Sequence, residues 1–305
     1  MMPSDPDGVS GGSIPSDGDD SDTAIAGVWQ RAADELRRAA RARALALSYE
    51  ARSADGPESL RALRARLAAL HRKMEERHQA SALVHQLYAA RMESWLAGER
   101  GQALRPVFMS AVAAAIGVRS ATATVRGRHP SAVLAASSDA TARAAYDLES
   151  VLGEGPAAAA AAEGVPVRLG GPAMHDRWPL YGPAVAELGV RAVTAVPLRV
   201  SSVCLGALCV YDAAPVISDA VAAAAGQVAD ALSHIVLLPG QASAERLFGE
   251  ADGQAAVHQA AGMVSARCGC GIDDAQALLQ ARAFADGQPV ERVAKGVLRG
   301  EIRLW

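Results

Sequence analysis

The apolar residues of this chain change period twice along its 305 residues, and those two changes constrain its fold more than any other feature. Over 23–98 they recur at helical spacing. Over 104–238 they form short alternating or continuous runs bounded by Gly, Pro and Ser. From about 250 onward the helical spacing returns. A strand-rich block between two helical ones fits neither an all-helical bundle nor an all-β sandwich; it predicts an α+β chain. Half the residues are hydrophobic but only 4% are aromatic, which suits helices packed closely through small side chains.

Residues 1–22 hold Asp, Gly, Ser and Pro without Lys or Arg and are expected to be a disordered acidic tail. The helical region 23–98 is broken at Ala54-Asp55-Gly56-Pro57. Its first stretch carries Leu36, Leu45 and Leu47 among arginines. In the second, Leu60, Leu67, Met74, Ser81, Tyr88 and Trp95 fall seven apart, with Leu63, Leu70, Arg77, Val84 and Arg91 as a companion series. Two series offset by three are the seam of a coiled coil, so a homodimer is expected; a helix packed on its own chain is the alternative. His71, His78 and His85 also repeat every seven residues. At two turns, roughly 10 Å, they are too far apart to share an ion, and they read as polar residues on the helix flank.

In 104–238 a helix over 104–116 precedes five strand-like runs at 121–125, 132–136, 165–169, 192–198 and 203–211. A helix over 219–238 closes the region. An antiparallel sheet covered on one face is expected. Gly153-Glu154-Gly155-Pro156 fixes a tight backbone path, in which Glu154 is placed to cap a neighbouring backbone group. It lacks the Lys-Ser/Thr of a phosphate loop. Gly206 in Leu205-Gly206-Ala207-Leu208 marks a central strand approached closely by another backbone. His175, Asp176 and Trp178 are the candidate pocket residues. Pro239-Gly240 reads as a hinge, followed by a short helix around 244–249.

The C-terminal part, 244–305, reads as three helices: 257–268, closed by Gly269 and Gly271; 273–285, opened by the acid Asp273 and closed by Gly287; and a third from Pro289 to about Arg299. In the third, Val290, Val293, Ala294, Val297 and Leu298 fall on one side and Arg292, Lys295, Arg299 and Arg303 on the other. A cationic row on a small bundle suits phosphate backbones, although six Lys and Arg against seven Asp and Glu over 250–305 make the unit acidic overall. Gly262 in mid-helix weakens its helix by roughly 1 kcal/mol, which calls for a close helix contact or the close approach of a ligand. Arg282 lies beside Leu278 and Leu279, positioned either to pair with an acid or to reach a nucleotide.

Two resemblances follow from these residues. Leu148 through Gly155, Trp178-Pro179, Gly189-Val190-Arg191-Ala192, Val196-Pro197-Leu198 and Leu205-Gly206-Ala207-Leu208 together resemble the GAF domains of actinobacterial regulators. That implies a sensor for a small molecule or protein signal over 104–238, with Ala157 where relatives often carry Cys. Val257, Gln259-Ala260-Ala261-Gly262, Ala275, Leu278-Leu279, Ala283-Phe284, Pro289, Val293-Ala294 and Val297 resemble the ANTAR domain, an RNA-binding three-helix module. This chain departs from that pattern at Ala261, Ser265 and Gln280. The resemblance implies transcription antitermination by a dimer that binds RNA stem-loops, with Gln259, Gly262, Arg267, Gln280, Arg282, Arg292, Lys295, Arg299 and Arg303 as candidate contacts. A DNA-binding factor with the same sensor is the alternative.

Net charge is −3, so nucleic-acid binding must come from a local patch. The four cysteines form neither a paired zinc pattern nor a disulfide framework, and a reducing cytoplasm is expected. No apolar run reaches the roughly 18–20 residues of a membrane span. Catalysis, a cofactor and a metal are not expected: Cys204 and Cys209 point to opposite faces of one strand, and no nucleophile–base pair is evident.

Overall fold

The computed structural model describes residues 17–55, 57–98, 107–126, 133–236, 252–288 and 290–304. Residues 1–16, the Pro239-Gly240 hinge and the short helix at 244–249 lie outside them. Two long helices come first, α1 (Asp17–Asp55) and α2 (Glu58–Gly98). Helix α1 thus starts inside the stretch expected to be a tail.

The two helices run antiparallel. Trp29 Nε1 donates to Glu93 at 2.6 Å near one end, and Arg72 bonds Glu50 at 2.9 and 3.0 Å near the other. Their seam is not the leucine series. Ile25, Ala32, Ala39 and Ala46 with Val28 and Ala42 face Ala68, Ala82, Ala89 and Met92, all buried. Alanine lets two helix backbones come close, so the small residues took the interface. Leu60, Leu63 and Leu70 were left exposed, as were Leu36, Leu45 and Leu47. The three histidines lie in this seam rather than on a flank. His71 stacks on Tyr49 at 5.6 Å between centroids, and His78 Nδ1 bonds Glu35 at 2.6 Å. His85 is buried and bonds the Ser81 carbonyl at 2.8 Å; burial pushes its pKa down.

Helix α3 (Phe108–Ile116) leads into a five-stranded antiparallel sheet of order β2-β1-β5-β4-β3. The strands are β1 (Ser120–Arg126), β2 (Val133–Ser137), β3 (Val167–Gly170), β4 (Ala192–Val200) and β5 (Val203–Asp212). All five coincide with the expected runs to within a few residues. Gly206 of β5 pairs with Val125, and a Cβ there would stand 1.8 Å from the Thr124 carbonyl oxygen, so only glycine fits.

Both faces of the sheet are covered, not one. Val112, Ile116, Ala123, Leu198, Leu208 and Val210 pack with Val228 and Leu232 beneath α3, α8 (Asp219–Ala231) and the second half of α2. Over the other face lie α4 (Ala140–Leu152), α5 (Pro156–Glu163), α6 (Pro172–Arg177) and α7 (Tyr181–Glu187). These seal Ala145, Leu148, Met174, Trp178, Tyr181, Val193 and Cys209 into a second core. Helix α8 widens at its end into a π-helical turn, Leu232–Val236.

The last three helices are α9 (Asp252–Cys268), α10 (Ile272–Ala285) and α11 (Val290–Leu298). Ala260, Val264, Leu279, Val293, Ala294 and Val297 form their core. Gly269, Gly287 and Gly300 follow the helices with φ of 67°, 60° and 76°, as glycine terminators do. The cap of α10 is Gly271, whose N–H donates to Asp274 at 3.3 Å, two residues before the expected Asp273. Leu298, expected in the buried stripe, is exposed.

Candidate functional site

Two acids of one short segment organise the helical layer of the sheet-centred domain. Glu149 ends the buried face of α4 and directs its carboxylate at the amino end of α5, where Oε1 accepts the Ala158 N–H at 2.7 Å. A Cβ on Gly155 would fall 2.6 Å from that side chain, so the turn after α4 needs glycine there. Glu154 does the same for α7: its Oε1 accepts the N–H groups of Leu180 at 2.6 Å and Tyr181 at 2.9 Å.

Behind Glu149 lies a polar cluster buried under the helices. Desolvation pushes its carboxyl up to about 7, against the pull of the Ala158 and Ala157 amides. Burial likewise pushes up the Tyr181 and Tyr211 hydroxyls and the Cys209 thiol, which interact electrostatically with Glu149. Glu149 Oε2 and the hydroxyls of Tyr181 and Tyr211 make no well-aligned hydrogen bond among the described residues, although Tyr211 stands close to Tyr181, Cys209 and Thr122. A thiol held protonated in this way is a poor nucleophile. The sequence marks Glu154 as a cap, and no motif in it marks Glu149, Tyr181 or Tyr211 as members of a buried polar cluster. Only the position of Glu149 beside the two-glycine turn signalled it.

Of the three expected pocket residues, His175 and Asp176 line one cavity of about 360 Å³, with Met174, Val190 and Arg191 among its walls. Trp178 is not with them. It is buried in the second core, edge-on to Tyr181 at 5.9 Å, because the Trp-Pro step ends α6 and turns the indole inward. Cys204 is part-buried, Cys268 exposed and Cys270 part-buried, all as free thiols. Among the described residues no group of His, Cys, Asp or Glu is arranged to hold a metal ion.

The C-terminal bundle separates its nine candidates into groups. Arg292 and Lys295 are exposed opposite the buried valines of α11; Arg299 follows its last residue, and Arg303, also exposed, lies beyond the turn at left-handed Gly300, so the expected row of four on one helix face is cut short where the helix ends. Arg299 is held by Glu301 through bonds of 2.8 and 2.9 Å. Arg282 pairs with Asp286 at 2.6 Å, one helical turn on. Gln259 and Arg267 are exposed. Gly262 is half-buried, and a Cβ there would meet nothing within 4 Å, so no close helix contact explains it. Gln280 faces the sensor: its amide donates to Ser150 Oγ at 2.8 Å, where α10 lies against α4. Ser150 is next to Glu149, so one helix carries both the buried cluster and the contact with the C-terminal bundle.

A sheet of this order, covered by helices on both faces and entered through a long helical hairpin, is the frame of a sensory domain. Residues 27–236 match the family described as GAF domain, well over half of the chain, and the protein belongs to that family. The match begins inside α1, so it takes in the helical hairpin as well as the region from 104 onward. It ends at the π-helical turn, ahead of the last three helices. No curated protein matches the chain. Membership gives the protein a signal-sensing, regulatory role. No described helix is long and apolar enough to cross a membrane.

Proposed function

We propose that this protein is a cytoplasmic, signal-responsive regulator, not an enzyme, whose GAF domain senses a small molecule or partner and whose C-terminal bundle binds RNA stem-loops to permit transcription antitermination. The resemblance of α9–α11 to the ANTAR module supports this. The observation that carries it is the two-sided character of α11: Val290, Val293, Ala294 and Val297 are buried, while Arg292 and Lys295 stand in solvent, with Arg299 and Arg303 exposed in the segment that follows the helix. Such a patch contacts phosphates without needing a basic domain. The open space at Gly262 suits the approach of a ligand backbone. Stem-loops are the fitting target, since loop bases are splayed and readable whereas A-form grooves hide their edges. The exposed leucines of α1 and α2 support a homodimer, which would present two such modules to paired stem-loops. The Gln280–Ser150 bond supports a route by which α4 passes the sensor's state to the bundle.

The test is a titration of purified protein with a dual stem-loop RNA and with duplex DNA of equal charge, over a range of salt. Binding of the RNA, weakened by Arg292→Ala and Lys295→Ala with a loss of about one from the log–log salt slope for each, is the expected result. Preference for the duplex would replace this reading with a DNA-binding factor. Binding to neither, or equal RNA binding by the double variant, would remove the nucleic-acid role.

A further inference from the structure

The connection between α9 and α10 is Cys268-Gly269-Cys270-Gly271, in which Cys268 is the last residue of α9 and Gly271 caps α10. Gly269 takes the left-handed conformation, with φ of 67°, and bends the backbone between the two cysteines. Ser265 holds the bend. Its carbonyl accepts the N–H groups of Gly269 at 2.9 Å and Cys270 at 3.3 Å, and its hydroxyl donates to the Cys270 carbonyl at 2.7 Å. Across such a bend the α-carbons of residues two apart lie about 5.5 Å from each other, inside the range a disulfide spans. The two thiols stand close enough to interact. Among the described residues no other two cysteines are placed this way: Cys204 and Cys209 point to opposite faces of β5, and Cys209 is sealed in the second core.

The two thiols differ as an attacking and a resolving sulfur should. Cys268 is exposed and open to a dissolved reagent, whereas Cys270 is half-buried against the bundle core. Desolvation pushes the Cys270 thiol up, and the neighbouring Cys268 adds to that. Once the Cys268 sulfur is bonded to another sulfur it carries no charge, so that opposition lifts when the Cys270 thiolate is required. Cys268 also holds part of the fold. Its thiol donates to the Leu304 carbonyl at 3.6 Å. The segment after α11 is thereby pinned at both ends, since the Gly296 carbonyl accepts the N–H groups of Glu301 at 2.8 Å and Ile302 at 3.2 Å. A sulfur in a disulfide has no hydrogen to donate.

We propose that Cys268 and Cys270 are a redox-active dithiol, oxidised by a small disulfide, whose closure loosens residues 301–304. The Cys268 thiolate attacks one sulfur of the reagent, and the first small thiolate leaves. The Cys270 thiolate then attacks the Cys268 sulfur, the Cys268–Cys270 bond forms, and the second small thiolate leaves. Two electrons pass to the reagent, which takes up the two protons given by the cysteines and departs as two thiols. Excess small thiol runs the steps in reverse. Exposed disulfides are the labile, regulatory ones, and a reversible pair suits a compartment in which permanent bridges are rare. Arg303, exposed, rides on the segment that is loosened. The chemistry is the same whatever the bundle binds.

The full chain, equilibrated with mixtures of reduced and oxidised glutathione, alkylated and weighed whole and as peptides, tests this. A loss of about 2 Da confined to the peptide that holds both cysteines, reversed by excess reduced glutathione, is expected. Cys270→Ser should stop at the glutathione adduct on Cys268, and Cys268→Ser should slow reaction at Cys270 by about tenfold or more. Amide hydrogen exchange over 301–304 should be about threefold faster in the oxidised wild type and unchanged in the sheet. A wild type that stops at the mixed disulfide, joins two chains through these cysteines or stays reduced in oxidised glutathione alone overturns the proposal. So does exchange over 301–304 that is equal in the two states.

Discussion

Replacing Glu149 by glutamine should flatten the dependence of the sensor's stability on pH. The carboxyl is pushed from its ordinary 4.5 up to about 7 by burial beneath α5. A raised acid is neutral in the folded protein while it is already ionised in the unfolded chain. Its contribution is therefore complete below pH 4.5, falls as pH rises between 4.5 and 7, and is gone above that. A difference of about 2.5 pH units at about 1.4 kcal/mol per unit amounts to about 3 kcal/mol. Glutamine keeps an oxygen for the Ala158 N–H but cannot ionise. Asp147, pushed up to about 6 by its own burial, titrates in both proteins and cancels from the comparison. Urea unfolding of the two proteins at pH 4.5, 6 and 8 measures the difference directly. The wild type should lose about 3 kcal/mol relative to Glu149→Gln across that span. Stability profiles that stay parallel would mean that Glu149 remains ionised in the fold, and the account of the buried cluster would be wrong.

Gly206→Ala should cost upwards of about 3 kcal/mol or abolish soluble expression, because the new methyl would meet the Thr124 carbonyl at 1.8 Å and β1 cannot retreat from the centre of the sheet; an unchanged urea midpoint would contradict the pairing. Gly262→Ala should raise the midpoint by up to about 1 kcal/mol, since nothing lies within 4 Å to oppose the methyl, and should lower RNA affinity if a nucleotide passes there. Leu63→Lys with Leu70→Lys should leave the hairpin folded and shift the protein to a monomer in sedimentation equilibrium; a dimer of undiminished affinity would place the interface elsewhere.

What the sequence revealed and what it concealed divide along the range of the interactions. The five strands were legible because their signal is local: apolar or alternating runs of strand length bounded by Gly, Pro and Ser, buried on both faces in β1 and β5. The last three helices were legible for the same reason, and the Arg282–Asp286 pair could have been read from its spacing alone. Helices α4 to α7 went unseen, although Asp139 accepts the Ala142 N–H at 2.8 Å as a legible cap of α4. The shorter ones are set by distant partners. Helix α7 starts where it does because Glu154, twenty-six residues before Leu180, accepts its first amides. Gln280 is the extreme case, with a partner 130 residues away.

The hairpin shows a different failure, one of weighting. Counting apolar bulk selects Leu60, Leu63 and Leu70, whereas helix packing here selects Ala68, Ala82 and Ala89 against the alanines of α1. Close backbone approach through small side chains gains contact over the full length of both helices, and it leaves the leucines with nothing of their own chain to cover. Exposed leucines at helical spacing, on a hairpin whose own seam is already complete, are not needed for its fold. They form the stripe on which the proposed homodimer rests, and Leu63→Lys with Leu70→Lys is its test. The seven-residue period thus holds two series: an inner one of alanines that closes the chain on itself, and an outer one of leucines that its own fold leaves exposed.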